Sequence, residues 1–419
     1  MVIPKAQRME VLAMAQAIKF LHASDLHLDR AISSLAEIPP HLKSTLVNAA
    51  YLAAENIFNL AVAEKVDFVL LAGDVLDLEA GGPRAAAFLL AQFERLAQRD
   101  IRVYWCSGQV DQPDRWPAAV ALPSNVVTFS STGFEESVCS KNGQAIATIL
   151  GTGYYSSRST FSDLRIESGA AFPIALAYEP SDKPIFEAAG VRYWALGGKH
   201  NRSLVERNSS VVVAPGTSQA RSADEIGQHS CALVKVDVTG KIRVEHMSVD
   251  VVRWAAQNLA FAESASDEEI KNIFADRGLK LATESTEQIV FVDWQIATTG
   301  DFNPRLRSSE WRRKMIAWLR TEFGSSTKGL WTTNLEMDST RTLPQTWYDE
   351  DTMMGDYLRT MGRFEADPQM ALQLQPYVSG NVDEWLGDMT RIDEVTRAKV
   401  LREATLFGIE RLGAFVEKD

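Results

Sequence analysis

At 419 residues the chain is longer than one ordinary domain, and an apolar share of 46% supplies a sizeable core. A net charge of -12 argues against a wholesale nucleic-acid coat but leaves room for a local basic groove. Cys106, Cys139 and Cys231 are odd in number and widely spaced, which argues against a disulfide framework or a paired-thiol metal knuckle and points to a reducing cytoplasm.

Residues 1–16 read as an N-terminal extension, apolar in part but interrupted by Glu10 and Gln16. No unbroken apolar run approaches the roughly 18 residues that a membrane span needs, so no membrane association is expected. From Ile18 to about Val213 one theme repeats: a short apolar run, a polar loop, then often an amphipathic helix. The runs are IKFLHA (18–23), DFVLLA (67–72), IRVYWC (101–106), AIATIL (145–150), FPIALAY (172–178), YWALGG (193–198) and SSVVVAP (209–215). Apolar runs without alternation are the pattern of strands covered on both faces. Helical stretches at Leu42 to Lys65 and Arg84 to Gln98 separate the first three, which predicts a layered α/β sheet. Residues 232–249 then read as a hairpin turning at Thr239-Gly240.

After about Asp250 the character changes. EQIVFVDWQIA (287–297) predicts a strand, and SSEWRRKMIAWLRTEF (308–323) a helix capped by Ser308 or Ser309, with Trp311, Met315, Trp318, Leu319 and Phe323 on one face. From about residue 345 the chain reads as irregular, then as a helix from roughly Ile392 to Phe415.

Polar groups gather where the runs end. The first gives Asp25, His27 and Asp29, the second Asp74 and Asp77, the third Gln109, Val110 and Asp111, the fifth Tyr178 and Glu179, and the sixth Lys199 and His200. Side chains at the carboxyl ends of strands in such sheets converge on one crevice. An Asp-x-His pair there offers an oxygen and an imidazole, a donor set suited to Mn, Fe or Zn. Each element alone is weak, since a lone DxH is more often a surface pair; the ordered series is the signal.

IKFLHASDLHLDR, VDFVLLAGDVLD, LPSNVVTFS, YWALGGKH, APGTSQARS and IRVEHMSVDVVRW together resemble calcineurin-like metallophosphoesterases, in particular DNA repair exonuclease subunits of the SbcD and YhaO type. The resemblance covers about residues 17–255, thins over the next stretch and is negligible after about 345. It implies a β-sandwich flanked by helices at 17–255; the residues beyond read as a small α+β capping domain at 256–345 and a helical C-terminal region at 346–419. By that resemblance one metal is held by Asp25, His27, Asp74 and His200. A second metal would share Asp74 and take its other ligands from the positions of Gln109, Tyr178 and Gly198. The histidine that assists phosphate chemistry is replaced by Val110.

One half of the site is thus intact and the other stripped. One divalent ion is expected, Mn ahead of Fe or Zn, with a second doubtful and with Lys199 a candidate to stand where that ion would be. Glu179 and Asp111 are candidate substitutes for the missing ligands. Asp29 and Asp77 are expected to orient loops or cap helices, and His22 to be structural, while Arg221 is a candidate phosphate contact. Arg305, Arg307, Arg312, Arg313, Lys314 and Arg320 form a basic stretch that reads equally as a DNA contact or as a solvated helix face.

The expected function is a DNA repair exonuclease-like metallophosphoesterase with weak or lost nuclease activity. The alternative is a catalytically silent subunit that binds DNA or docks on the coiled coil of an ABC-type ATPase; a small-molecule phosphoesterase stands behind both. The resemblance also implies a homodimer.

Overall fold

The computed structural model describes residues 16–28, 30, 32, 38–112, 116, 120–154, 164, 166, 169–179, 190–207, 210–285, 288–299, 303–325, 329–337, 343–368, 370 and 393–413. The expected extension up to residue 15, Asp29, Ile392 and Phe415 fall outside them. The chain divides into two compact units, Met1–Ala255 with Glu287–Val290, and Ala256–Thr286 with Phe291–Asp419.

The first unit opens with β1 (Ile18–Ala23), α1 (Lys43–Ala63), β2 (Phe68–Ala72), α2 (Leu78–Ala97), β3 (Arg102–Cys106) and β4 (Val126–Thr128). It continues through β5 (Glu135–Lys141), β6 (Gln144–Gly151), β7 (Pro173–Tyr178), β8 (Tyr193–Gly197), β9 (Ser203–Arg207) and β10 (Ser210–Ala214). The hairpin β11 (Ser230–Val236) and β12 (Ile242–Ser248) closes the series. Two six-stranded sheets result, ordered β12-β11-β1-β2-β3-β4 and β5-β6-β7-β8-β10-β9. Their central strands run parallel, so β1, β2 and β3 in one sheet and β6, β7 and β8 in the other each release their chain at one edge.

The sheets face each other across a core that includes Phe20, Phe68, Leu70, Tyr104, Ile149, Ile174, Leu176 and Tyr193. Phe20 stacks on Phe68 with ring centroids 4.9 Å apart and meets Tyr193 edge-on at 5.1 Å. The outer face of the first sheet is covered by α1 and α2 through Ile57, Phe58, Leu89 and Phe93. Burial on both faces is why these strands are apolar without alternation. α2 is two helices in series, broken at Gly82, which takes φ 58 and ψ -162; the second starts at Pro83, next to the expected Arg84. By length and composition α1 could cross a membrane, yet Ala53, Ala54, Ile57, Phe58 and Ala61 are fully buried within this sandwich.

The second unit is entered along β13 (Val252–Ala262) and adds α3 (Asp267–Glu284), β14 (Ile289–Thr299), α4 (Pro304–Arg307), α5 (Ser309–Phe323) and β15 (Gly329–Met337). Its sheet runs β13-β14-β15 over a core in which Phe274 meets Trp294 edge-on at 5.1 Å. Ser308 caps α5 by accepting from Trp311 N–H, and Trp311, Met315 and Leu319 are buried. The segment after residue 345 is more regular than its sequence suggests. It forms α6 (Gln345–Asp349) and α7 (Met353–Ala366), followed by α8 (Glu394–Gly413). Thr352 caps α7, and Leu358 joins Ile409 of α8 in a common cluster, so these helices fall within the second unit rather than forming a separate body.

Candidate metal centre

The residues after β1 and β2 take a conformation that side-chain-bearing residues seldom adopt. Asp25, His27 and Asp74 have φ of 51, 44 and 48. Each such position costs of order 1–3 kcal/mol and persists only where its surroundings hold it. Here the two loops hold each other: Asp25 N–H donates to Gly73 O at 3.0 Å, His27 N–H to Asp74 O at 3.0 Å, and Leu28 N–H to Val75 O at 3.1 Å. Beneath them lies Asp111, 3% exposed. Its carboxylate accepts from Asp74 N–H (3.1 Å), Val75 N–H (3.0 Å), Gly108 N–H (2.5 Å) and Trp105 Nε1–H (2.9 Å). Asp111 therefore clamps the loops after β2 and β3. With both oxygens used, it is not the substitute ligand that its place in the sequence suggests.

Three donors converge. Ligand atoms of Asp25, His27 and His200 lie within 4.8 Å of one another, from the loops after β1 and β8. Asp25 is 1% exposed and accepts from Gly198 N–H at 3.1 and 3.0 Å. His27 is 4% exposed, and neither ring nitrogen has a hydrogen-bond partner. Its ring meets that of His200 edge-on at 5.7 Å. Burial holds His27 down to about 3, so the imidazole is neutral, and burial with the nearby Asp74 charge raises Asp25 to about 7.

A buried imidazole with two unmet nitrogens beside a buried carboxyl costs free energy as it stands. A borderline divalent cation satisfies all three groups at once, and its charge would return Asp25 to the anion. The residues present fit one such ion.

Asp74 stands beside this trio but is engaged elsewhere. Its Oδ2 accepts from the Tyr178 hydroxyl at 2.6 Å and its Oδ1 from Val110 N–H at 3.1 Å. Among the described residues the ligand atoms that lie within 4.8 Å of one another are those of Asp25, His27 and His200, without Asp74. The positions of the other half-site are placed as follows. Gln109 is exposed and Val110 half-buried, the latter presenting only its backbone to Asp74. Gly198 takes φ 88, and Lys199 follows it half-buried. Glu179 is 9% exposed at the end of β7, its N–H bonded to Gly197 O at 3.0 Å.

Glu225 carries no motif and was not legible as a site residue. Its Oε1 lies 3.0 Å from His200 Nδ1, and its carboxylate also accepts from Arg221 N–H at 2.7 Å and from the Arg221 guanidinium at 3.1 Å. Arg221, the candidate phosphate contact, thus reaches the centre's rim, its guanidinium 3.1 and 3.3 Å from the two His200 ring nitrogens. His22 is fully buried with Nδ1 3.0 Å from the Tyr193 hydroxyl, a structural role. His229 is likewise tied to Thr217 Oγ1 at 2.7 Å.

In the second unit the basic stretch is partly consumed by internal contacts. Arg307 and Glu263 form an ion pair with side chains 5% and 1% exposed. Arg305 pairs with Asp267 at 2.5 Å, Arg320 donates to Thr332 O at 3.0 Å, and Lys314 pairs with Glu310 at 2.6 Å. Arg312, Arg313 and Lys314 face solvent.

Residues 18–213 match the family model of the calcineurin-like phosphoesterases. The chain is 28% identical over 331 residues to the uncharacterized metallophosphoesterase YhaO of Bacillus subtilis, a match spanning 73% of this chain and 81% of that protein. Among solved structures, Vacuolar Protein Sorting 29 of Cryptosporidium parvum is 16% identical with a TM-score of 0.28, covering 56% of this chain and 99% of its own. The zinc-complexed wild-type form from Entamoeba histolytica is 13% identical with a TM-score of 0.24, covering 56% and 100%.

Proposed function

We propose that this chain, which carries a calcineurin-like metallophosphoesterase domain over residues 18–213, is a phosphodiesterase that works slowly on DNA with a single divalent ion, Mn ahead of Fe or Zn. The observation that carries the reading is His27, buried with both ring nitrogens unmet, beside the donors of Asp25 and His200.

Asp25, His27 and His200 would hold the ion. When bound, it supplies Lewis-acid polarisation of a phosphoryl oxygen. The chain's own residues do the rest. Arg221 presents a guanidinium at the rim to a second phosphoryl oxygen, and Glu225 fixes that guanidinium in place. No histidine stands at Val110 to pass a proton to the leaving group, an omission worth about 10²–10⁴-fold in rate. Slow turnover follows from that omission.

Val110 also favours a second reading, a catalytically silent subunit that keeps the fold to bind DNA or to dock on an ABC-type ATPase. Exposed Arg312, Arg313 and Lys314 supply charge for the DNA contact, and α8 leaves Val395, Val400 and Phe407 exposed for a coiled-coil partner or a second copy of the chain.

Hydrolysis of bis(p-nitrophenyl) phosphate and of linear DNA, with Mn and with chelator, separates the readings. Slow, Mn-dependent release that disappears in His27→Ala supports the enzyme. No release with Mn, Fe or Zn supports the silent subunit. Hydrolysis of phosphomonoesters alone points instead to a small-molecule phosphoesterase. DNA binding whose salt dependence survives charge reversal of Arg312, Arg313 and Lys314 removes the contact proposed for the second unit.

A further inference from the structure

We propose that Tyr178 takes the place of a second cation: its hydroxyl, donating to Asp74 Oδ2 at 2.6 Å, turns Asp74 from a bridging ligand into a loop anchor and keeps the centre to one ion. The inference rests on the single-ion reading above and names the residue that enforces it.

Both oxygens of Asp74 are used, Oδ2 by Tyr178 and Oδ1 by Val110 N–H at 3.1 Å. A carboxylate with two donors already in hydrogen-bonding range has little reason to turn toward an ion it would have to share. Tyr178 is also held firmly. It is 9% exposed at the end of β7, and its ring meets Tyr154 edge-on at 5.6 Å. The ring lies so close over Gly73 that a Cβ added there would sit 2.5 Å from Tyr178 Cδ2. Gly73 has φ 76 and tolerates that approach because it has no side chain.

The Tyr178 hydroxyl aims its O–H at a carboxylate oxygen of Asp74. It is therefore a donor and not a phenolate ligand. A neutral O–H answers one carboxylate oxygen and asks for no further ligands. A cation in the same place would need several; Gly198 has no side chain to give, and Gln109 offers one exposed amide.

The test is a double-variant cycle read by calorimetric titration of Mn into the full chain, with thermal unfolding confirming that each variant is folded. Wild type is expected to take one ion, and Asp74→Asn to do the same with affinity within about threefold. Tyr178→Phe removes the hydroxyl but keeps the ring over Gly73, freeing Oδ2. Mn binding should then tighten on the order of tenfold, or a second ion should enter, and adding Asp74→Asn should erase that gain.

Two ions in wild type overturn the inference while leaving a phosphoesterase standing. So does loss of binding in Asp74→Asn alone, or a Tyr178→Phe variant that binds as wild type does. Failure of folded wild type to bind any Mn, Fe or Zn is a different result: it removes the metal centre itself.

Discussion

The Glu225 carboxylate lies 3.0 Å from Nδ1 of His200 while holding both the backbone N–H and the guanidinium of Arg221. Burial alone would raise its pKa, but the bonds from His200 and Arg221 outweigh it and hold Glu225 at about 2. The carboxylate is thus an anion at any ordinary pH. An imidazole that donates from Nδ1 keeps its lone pair at Nε2, the form a metal ligand needs. Glu225→Gln is therefore expected to weaken Mn binding by about 10–100-fold, with part of the loss recovered in Glu225→Asp. Calorimetric titration reads this, and unchanged affinity in Glu225→Gln contradicts it.

Asp111 gathers three backbone N–H donors from two loops and the Trp105 indole N–H from β3. Its removal leaves buried donors unmet and releases the strained backbone at Asp74. Asp111→Ala is expected to lower the unfolding free energy by at least about 3 kcal/mol, measured by urea denaturation. A loss under about 1 kcal/mol would mean that the loops hold themselves.

The sandwich and the donor trio are readable from sequence for a common reason. Strands covered on both faces must be largely apolar, as β2 is throughout and β1 and β3 are apart from Lys19, His22 and Arg102, and such strands deliver most of their polar groups to the loops that follow. Asp25, His27 and His200 sit where that logic places them. What is hidden depends on pairing or on distance along the chain. β9 reads SLVER, with Ser203 to Glu206 exposed, and is a strand because it pairs with β10. α7 carries Gly355 and Gly362, poor helix formers, but is held by the Thr352 cap and by packing with α8. There Gly408 lets the Tyr357 ring approach the helix backbone, and the Tyr357 hydroxyl donates to Ala404 O at 2.7 Å. The bond between Tyr178 and Asp74 joins positions 104 residues apart, and nothing local in the sequence announces it. The basic stretch misleads for the converse reason, since the glutamate that neutralises Arg307 lies 44 residues away.

His22 makes the acid stability of the first unit testable. Burial lowers its pKa from 6.5 to about 3. Between those values the unfolded chain binds a proton that the folded chain refuses, so stability rises with pH across that window and is lost as pH falls through it. His22→Gln is expected to give a shallower dependence of unfolding free energy between pH 4 and 6.5. Parallel slopes in the two proteins contradict that source of acid sensitivity.

The most direct test of the centre is crystallographic: anomalous diffraction at the Mn absorption edge from crystals of the wild-type chain grown with Mn. One anomalous peak is predicted, coordinated by Asp25, His27 and His200, with Asp74 still bonded to Tyr178. Two peaks sharing Asp74, or no peak within reach of the His27 ring, would contradict the account.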